Sequence, residues 1–267
     1  MHLITGDATK LPFQDDFFDL VIGSPSYGNA RTYNRSDIAR KTREWVNFAE
    51  AFTHEGLRVS KGPVLWVVAG TGGSEYEPLP ELLVAAMYGK CCILRPNIWV
   101  KNAPPTGKTW FSNDWEYVLA FAKEVPLKTW NPQEIATPLK YKAGGNFRQR
   151  KRDGERSEGG SYPQHEMRKR PSNVHYVTVG GGHMGWPEAT KVNEAPFPEA
   201  LVSRFIRVLT NPGDKVLDPF SGSGTTAATA EMLGRIGYGV DIREEQTQQA
   251  SRRQEYVNAH LLQPATT

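Results

Sequence analysis

The sequence predicts an α/β fold with a doubly wound, mostly parallel sheet. Continuous apolar runs at residues 17–22 and 64–69 are typical of strands that are buried on both faces of such a sheet. Each run is followed by a segment whose apolar residues have helical spacing, at 45–59 and 79–88. This alternation predicts parallel strands that are joined by crossover helices.

The remaining regular elements extend the same pattern. A first strand is predicted at residues 2–5, and two strand-like runs at 91–100 and 116–122 predict a terminal hairpin that closes the sheet. Further along, the alternation returns as a helix at 198–209, a strand at 215–217, a helix at 225–233, a strand at 236–241 and a helix at 244–262. We therefore expect one α/β domain that is interrupted near its middle.

Length and composition are those of a globular protein of the cytoplasm. The chain has 267 residues, of which 39% are hydrophobic, and this length supports a full core. No run of about 18 apolar residues is present, and the N-terminus lacks the pattern of a secretory signal, so we expect no membrane segment. Two adjacent cysteines, Cys91 and Cys92, are too few for a disulfide framework, and the six histidines lack metal-binding spacing. No metal site is predicted.

Residues 126–192 interrupt the α/β pattern and carry a concentrated positive charge. Residues 140–170 hold ten Lys or Arg and four acids, a net charge of +6, whereas the rest of the chain has a net charge of −3. Such a segment favours an anionic partner, although a solvated loop explains the charge equally well. The predicted division is a first half at 1–125, an inserted region at 126–192 and a second half at 193–267.

The stretch Asp218-Pro-Phe-Ser-Gly-Ser-Gly-Thr-Thr226 follows a predicted strand and begins a predicted helix. A strand, a glycine turn and a helix N-terminus bring backbone N–H groups close to a ligand. Asp241 ends the next strand, 17 residues after Gly224, where an acid commonly accepts hydrogen bonds from ribose hydroxyls. The two features together predict a nucleoside-binding site.

A second candidate site, Ser24-Pro-Ser-Tyr27, follows the apolar run at 17–22. Because Pro25 cannot donate to a strand ladder, the strand must end there and an exposed turn begins. This turn and the glycine stretch together resemble the S-adenosylmethionine-dependent DNA methyltransferases that modify exocyclic amines. Their order, with the turn first and the glycines last, is similar to that of the beta class and implies a circularly permuted, Rossmann-like methyltransferase fold. The resemblance covers residues 1–125 and 193–262.

The resemblance implies a role for each matching residue of the cofactor site. The methionine part of the cofactor would be held by Asp218, Pro219, Phe220, Ser221, Gly222, Ser223, Gly224, Thr225 and Thr226. Asp241 would hold the ribose, and Asp7 and Ala8 would flank the adenine. Phe197 and Pro198 would cover the cofactor from the other side.

The catalytic turn is expected to receive the target base. Ser24 and the carbonyl of Pro25 would accept hydrogen bonds from the amine, and Tyr27 would stack on the base. A base within a duplex cannot reach such a pocket, so it must be flipped out. The family usually has Pro where this chain has Ser26, and we expect activity to survive this difference. Ser24 at the first position of the turn slightly favours cytosine as the target base, and both adenine N6 and cytosine N4 remain possible methylation sites.

The resemblance also identifies residues 126–192 as a target-recognition region for double-stranded DNA. Its predicted contacts are Lys140, Lys142, Arg148, Arg150, Lys151, Arg152, Arg156, Arg168, Lys169 and Arg170, with Arg31 and Arg35 beyond the catalytic turn. A homodimer and a cognate restriction endonuclease are the protein partners that the resemblance implies.

Two other functions are weighed against this one. The six residues from Gly222 to Ala227 match the dinucleotide fingerprint and suggest an NAD-dependent oxidoreductase, but this interpretation leaves the catalytic turn and the basic segment unexplained. A catalytically dead, DNA-binding methyltransferase fold would follow if Ser26 spoiled the turn. Methylation at cytosine carbon-5 needs a cysteine nucleophile, whereas Cys91 and Cys92 begin an apolar strand and are expected in the core.

Overall fold

The computed structural model describes residues 1–25, 42–70, 76–102, 113–138, 146–148, 150–157, 159–161, 168–179 and 198–260. The chain forms two compact units: Met1–Trp130 with Asn173–Thr267, and Asn131–Ser172. Within the described residues, no helix has both the length and the apolar character needed to cross a membrane.

Thirteen strands are formed by the described residues: β1 His2–Thr5, β2 Leu20–Gly23, β3 Val64–Val68, β4 Cys92–Ile93, β5 Asn97–Val100, β6 Trp115–Ala122, β7 Thr137–Pro138, β8 Asn146–Phe147, β9 Gly160–Ser161, β10 Arg168–Lys169, β11 Val174–Tyr176, β12 Lys215–Asp218 and β13 Ile236–Asp241. The helices are α1 Thr42–Val59, α2 Leu79–Met87, α3 Glu199–Leu209, α4 Thr225–Met232 and α5 Glu244–His260, and a short 3-10 helix lies at Pro132–Ile135.

The first unit is built on one sheet with the strand order β1-β13-β12-β2-β3-β6-β5-β11, and β4 also pairs with β6. Strands β1, β13, β12, β2 and β3 are parallel to one another, β6 runs antiparallel to both β3 and β5, and β11 is parallel to β5. The predicted α/β fold with a mostly parallel sheet is confirmed.

Side chains alternate across the central strands, as the doubly wound arrangement requires. Val64, Trp66 and Val68 of β3 pack in the same core cluster as residues of α1 and α2. Leu65 and Val67 point to the opposite face and are equally buried. The sheet therefore has a hydrophobic layer on both faces, which explains the continuous apolar runs in the sequence.

Two strand predictions differ from the structure. The run at 17–22 becomes a strand only from Leu20. Before it, Phe18 forms only an isolated bridge with Ser60, and the rings of Phe17 and Phe18 contact Tyr238. The run at 91–100 is split into β4 and β5 around Pro96, which has no N–H for a strand ladder. Cys91 and Cys92, expected in the core, are half-buried free thiols.

The outer edge of the sheet also differs from the expectation. The predicted hairpin forms between β5 and β6, but it does not close the sheet, because β11 pairs with β5 beyond it. Val174, His175 and Tyr176 lie in register with Ile98, Trp99 and Val100. A strand from the region predicted as an insertion therefore belongs to the main sheet, and its three residues were too short a run to show a periodicity.

The second unit contains two short antiparallel pairs, β7 with β10 and β8 with β9. An isolated bridge between Arg150 and Arg156 extends the second pair. This unit presents exposed basic side chains on a small hydrogen-bonded frame.

Candidate functional site

The candidate site lies at the carboxyl edge of the parallel strands. Because β1, β13, β12 and β2 are neighbours in this order, their carboxyl ends meet at one edge of the sheet. Asp241 and Asp218 end their strands, while Asp7 and Ser24 follow theirs by one or two residues. Ligands of open α/β sheets bind at this edge. The fold thus brings together the two sites that the sequence predicts separately.

A tight glycine loop joins β12 to α4. Gly224 occupies the position before α4 with a φ of 76°, in the left-handed region that favours glycine. A Cβ at this position would lie 2.8 Å from the Cβ of Ala250 on α5. The loop therefore needs glycine at this position for its backbone conformation and for its close approach to α5.

Asp218, the last residue of β12, is buried and forms hydrogen bonds within this loop. Its Oδ1 accepts a hydrogen bond from the Phe220 N–H (2.9 Å), and its Oδ2 accepts one from the Thr226 hydroxyl (2.6 Å). Burial raises the pKa of Asp218 to about 7, although these two hydrogen bonds oppose the shift. Asp218 thus holds both ends of the loop together, in addition to any contact with a ligand.

Asp241 and Asp7 form the adjacent part of the site. Asp241 Oδ2 accepts a hydrogen bond from the Gly222 N–H (2.9 Å), and its Oδ1 accepts one from the Arg243 N–H (3.0 Å). Asp7 is exposed, and its Oδ1 accepts hydrogen bonds from the backbone N–H and the hydroxyl of Thr9, both at 2.8 Å. The Gly6 N–H donates to the Asp241 carbonyl (2.9 Å), so the ends of β1 and β13 are joined.

Several predicted cofactor residues contribute little side-chain surface to this edge. The ring of Phe220 packs against Phe52 and Trp66, with ring centroids 4.9 and 5.8 Å away, so most of this side chain is directed toward the core. Ala8 is a member of the hydrophobic core. Pro198 is buried at the start of α3, and Phe197 lies outside the described residues.

The predicted catalytic turn contacts the glycine loop directly. A Cβ on Gly23 would lie 2.6 Å from Oδ1 of Asp218, so only glycine leaves room for this carboxylate. The next residue, Ser24, is half-buried, and its hydroxyl donates to the carbonyl of Val67 on β3 (3.2 Å). Pro25 is buried, whereas Ser26 and Tyr27 lie outside the described residues. The start of the turn and the head of the loop therefore share one wall.

The predicted DNA contacts are only partly described. Arg148, Arg150, Lys151, Arg152 and Arg156 are exposed in the second unit, and none of them pairs with a carboxylate in the described parts of the chain. Arg170 is also exposed, and only the backbone of Arg168 and Lys169 is described. The positions of Arg31, Arg35, Lys140 and Lys142 lie outside the described residues.

Two residues near the site were missed by sequence reasoning. Gly23 resembles an ordinary strand end in the sequence, and its importance depends on a carboxylate 195 positions later. Arg253 lies on α5 among other polar residues, yet its side chain is fully buried and its Nη1 donates to the Thr225 hydroxyl (2.7 Å). Its spacing of three residues from the buried Ala250 is the one sequence signal for this face of α5.

Comparison with known proteins agrees with this geometry. A family model described as DNA methylase, of the N6/N4 class, matches residues 18–252. The chain is 28% identical over 261 residues to the Type II methyltransferase M.HpaI of Haemophilus parainfluenzae, covering 94% of this chain and 73% of that protein.

Solved structures share the fold. The cytosine-N4-specific PvuII DNA methyltransferase superposes with a TM-score of 0.70 at 18% identity, over 99% of this chain and 87% of that one. TTHA0409 of Thermus thermophilus, solved with S-adenosyl-L-methionine, gives a TM-score of 0.63 at 20% identity, over 96% and 94% of the two chains. With its glycine loop and catalytic turn on one sheet edge and a family match over most of its length, the chain belongs to the N6/N4 family of DNA methylases.

Proposed function

We propose that this DNA amino-methyltransferase acts on a flipped-out adenine or cytosine, with Ser24 and Pro25 orienting the amine and the β12–α4 loop holding the methyl donor. The observation that carries this assignment is the contact between the two sites, where Gly23 lies directly against the Asp218 carboxylate. A base amine at the turn and a methyl donor at the loop would meet at this shared wall.

The loop residues fit S-adenosylmethionine. The hydroxyl oxygens of Ser221 and Ser223 are buried and have no hydrogen-bond partner among the described residues. Buried polar atoms without partners are rare in folded proteins, and here they belong to the glycine loop that leads into the N-terminus of α4. When bound, S-adenosylmethionine supplies a methyl group activated by a sulfonium, so its transfer needs no metal.

The hydrogen bonding of Ser24 suits an amine donor. The Ser24 hydroxyl proton is directed to the Val67 carbonyl, so toward an amine the Ser24 oxygen acts as an acceptor. The lone pair of an exocyclic amine is delocalised into the base, which makes the nitrogen a weak nucleophile. Hydrogen bonds from its N–H groups to Ser24 and to the Pro25 carbonyl would favour a more tetrahedral nitrogen, and positioning then provides most of the catalysis.

The basic side chains of the second unit support the recognition of DNA. Five exposed Lys or Arg between residues 148 and 156 have no carboxylate partner in the described parts, so their charges are available for phosphates. Arginine also matches guanine bidentately in the major groove. These residues would both position the duplex and read part of its sequence.

The test of this proposal is methyl transfer from labelled S-adenosylmethionine to duplex DNA, followed by nucleoside mass spectrometry. N6-methyladenine or N4-methylcytosine is expected, and the product identifies the base. The absence of both, or 5-methylcytosine alone, would show that the assignment is wrong. Replacing the target base with a 2-aminopurine reporter should give a fluorescence rise upon binding if the base leaves the stack.

Ser24→Ala tests the catalytic turn. We expect kcat to fall about a hundredfold, because the amine loses its orienting acceptor, while the dissociation constant of S-adenosylmethionine stays unchanged. Ser251→Ala, which removes an exposed hydroxyl of α5, is the matched control. An equal loss of cofactor affinity in Ser24→Ala would contradict the role given to this residue.

The partners implied by the family are also proposals. M.HpaI is a Type II methyltransferase, and this supports a cognate restriction endonuclease for the present chain. Methylated DNA should then resist an endonuclease that cuts the same sequence. A homodimer is supported by the family resemblance alone, and light scattering of the free protein tests it.

A further inference from the structure

Arg253 has an unusual position for a charged side chain. It lies on α5, its side chain has no exposed surface, and burial lowers the pKa of its guanidinium, although Glu199 opposes this shift. Burying a cation is unfavourable unless hydrogen bonds and an opposite charge compensate for the lost hydration. The burial of Arg253 is therefore best understood from the groups that its guanidinium connects.

The guanidinium of Arg253 connects two separate helix starts. Nη1 donates to the hydroxyl of Thr225 (2.7 Å), and Nη2 forms an ion pair with the Glu199 carboxylate. Thr225 is the first residue of α4, directly after Gly224. Glu199 is the first residue of α3, directly after Pro198. One side chain thus joins the end of the glycine loop to the segment that begins α3.

The same face of α5 supports the loop at a second point. Ala250, one helical turn before Arg253, is the residue whose Cβ would collide with a Cβ on Gly224. Next to Thr225, the Thr226 hydroxyl donates to Asp218, which in turn touches Gly23. A continuous series of contacts therefore runs from α5 through the loop to the catalytic turn.

We propose that Arg253 is a positioning residue of the cofactor site, which sets the separation between the glycine loop and the Pro198 segment. This inference rests on the proposed function and on the family resemblance, which implies that Pro198 covers the bound S-adenosylmethionine on the side opposite the glycine loop. Arg253 acts through Thr225 and Glu199 and does not itself contact the reacting atoms. Its removal should weaken cofactor binding more than it weakens the fold.

The test must separate positioning from simple stabilisation. Arg253→Met alone would remove the positive charge that pairs with the Glu199 carboxylate and would destabilise the fold for that reason. The informative variant is therefore Arg253→Met with Glu199→Gln, which removes both charges. Calorimetric titration with S-adenosylmethionine, Tm, and anisotropy of a labelled duplex are measured on the full chain. Arg252→Ala, which removes the neighbouring exposed guanidinium, is the matched control.

The expected result is a dissociation constant for S-adenosylmethionine about tenfold higher in the double variant, with Tm within a few degrees of the wild type and duplex affinity unchanged. The dissociation constant of Arg253→Lys should lie between those of the wild type and the double variant, because an ammonium lacks the forked guanidinium that reaches both Thr225 and Glu199. An unchanged dissociation constant in the double variant would overturn the proposal, as would an affinity loss of the same size in Arg252→Ala.

A smaller substitution tests the proposal even if the double variant does not fold. Thr225→Val keeps the volume but removes the hydroxyl that Arg253 contacts, and it should raise the dissociation constant severalfold. If Thr225→Val binds the cofactor as tightly as the wild type, the proposal is wrong. Failure of the proposed function is distinguishable, because the wild-type protein would then transfer no methyl group to DNA.

Discussion

At the scale of single residues, Asp218 holds the site together at a cost that depends on pH. Burial raises its pKa from 3.8 to about 7. Between these values the folded protein keeps the proton, whereas the unfolded chain releases it. The stability contributed by this group is therefore fully present below about pH 4, falls as pH rises to about 7, and is constant above that.

Asp218→Asn should remove this dependence. The difference in the free energy of unfolding between wild type and variant is expected to change by up to about 1.4 kcal/mol per pH unit between pH 4 and 7, the limit for one proton. Urea unfolding at several pH values measures it. Asp153→Asn, at an exposed carboxylate, is the matched control variant. A wild-type slope that persists in Asp218→Asn would contradict the assigned pKa.

Some residues of the site were predictable from the sequence and others were not. The types and spacing of Asp218, Gly224 and Asp241 were enough to predict a nucleoside site at one sheet edge. The direction of the Phe220 ring was not predictable, because a loop residue has no periodicity and its contacts with Phe52 and Trp66 come from distant parts of the chain. The burial of Arg253 was hidden for the same reason.

At the scale of elements, β11 is fixed to the sheet by a buried histidine. Arg204 Nε of α3 donates to His175 Nδ1 (3.1 Å), so Nε2 carries the proton and donates to the Asn97 side-chain oxygen on β5 (3.0 Å). Burial, together with the Arg204 charge, lowers the pKa of His175 to about 4. The strand, the neighbouring strand and the helix are thus joined while the imidazole stays neutral.

This connection should fail in acid. Because the unfolded histidine binds a proton near pH 6.5 and the folded one only near pH 4, the contribution of His175 is present above about pH 6.5 and is lost as pH falls to about 4. Relative to His175→Gln, the wild type should lose unfolding free energy over that range. His54→Gln, at an exposed histidine, is the control. Equal pH profiles of wild type and His175→Gln would refute this prediction.

The elements themselves were largely predictable from hydrophobic pattern. Strands β1, β3, β12 and β13 and helices α1, α2 and α3 lie within a few residues of their predicted bounds. Long apolar runs and helices with one buried face leave a clear periodic signal. The three residues of β11 do not, since their pairing with β5 is decided by hydrogen bonds to a distant strand and by the His175 contacts.

At the scale of the whole molecule, charge is divided between a near-neutral body and a basic segment. Replacing Arg150 and Arg152 with Gln should weaken duplex binding and reduce the slope of log K against log salt by about 0.9 for each phosphate that is no longer bound. Anisotropy titrations between low and moderate salt measure both effects. The matched control replaces the exposed Arg95 and Arg252 with Gln. An equal change in duplex affinity and salt dependence in this control would show that the location of the lost charges does not matter.

The order of the strands has a consequence for biosynthesis. Strand β1 pairs with β13, and β2 pairs with β12. Both N-terminal strands therefore lack these partners until the ribosome has synthesised the C-terminal part of the chain. At roughly 5–20 residues per second, the ribosome needs on the order of ten seconds or more between them. During that interval two hydrogen-bonding edges are unprotected and open to aggregation, so nascent chains should depend on chaperones. The turn at Ser24 meets the glycine loop only when synthesis has passed residue 218, so we expect an incomplete chain to transfer no methyl groups.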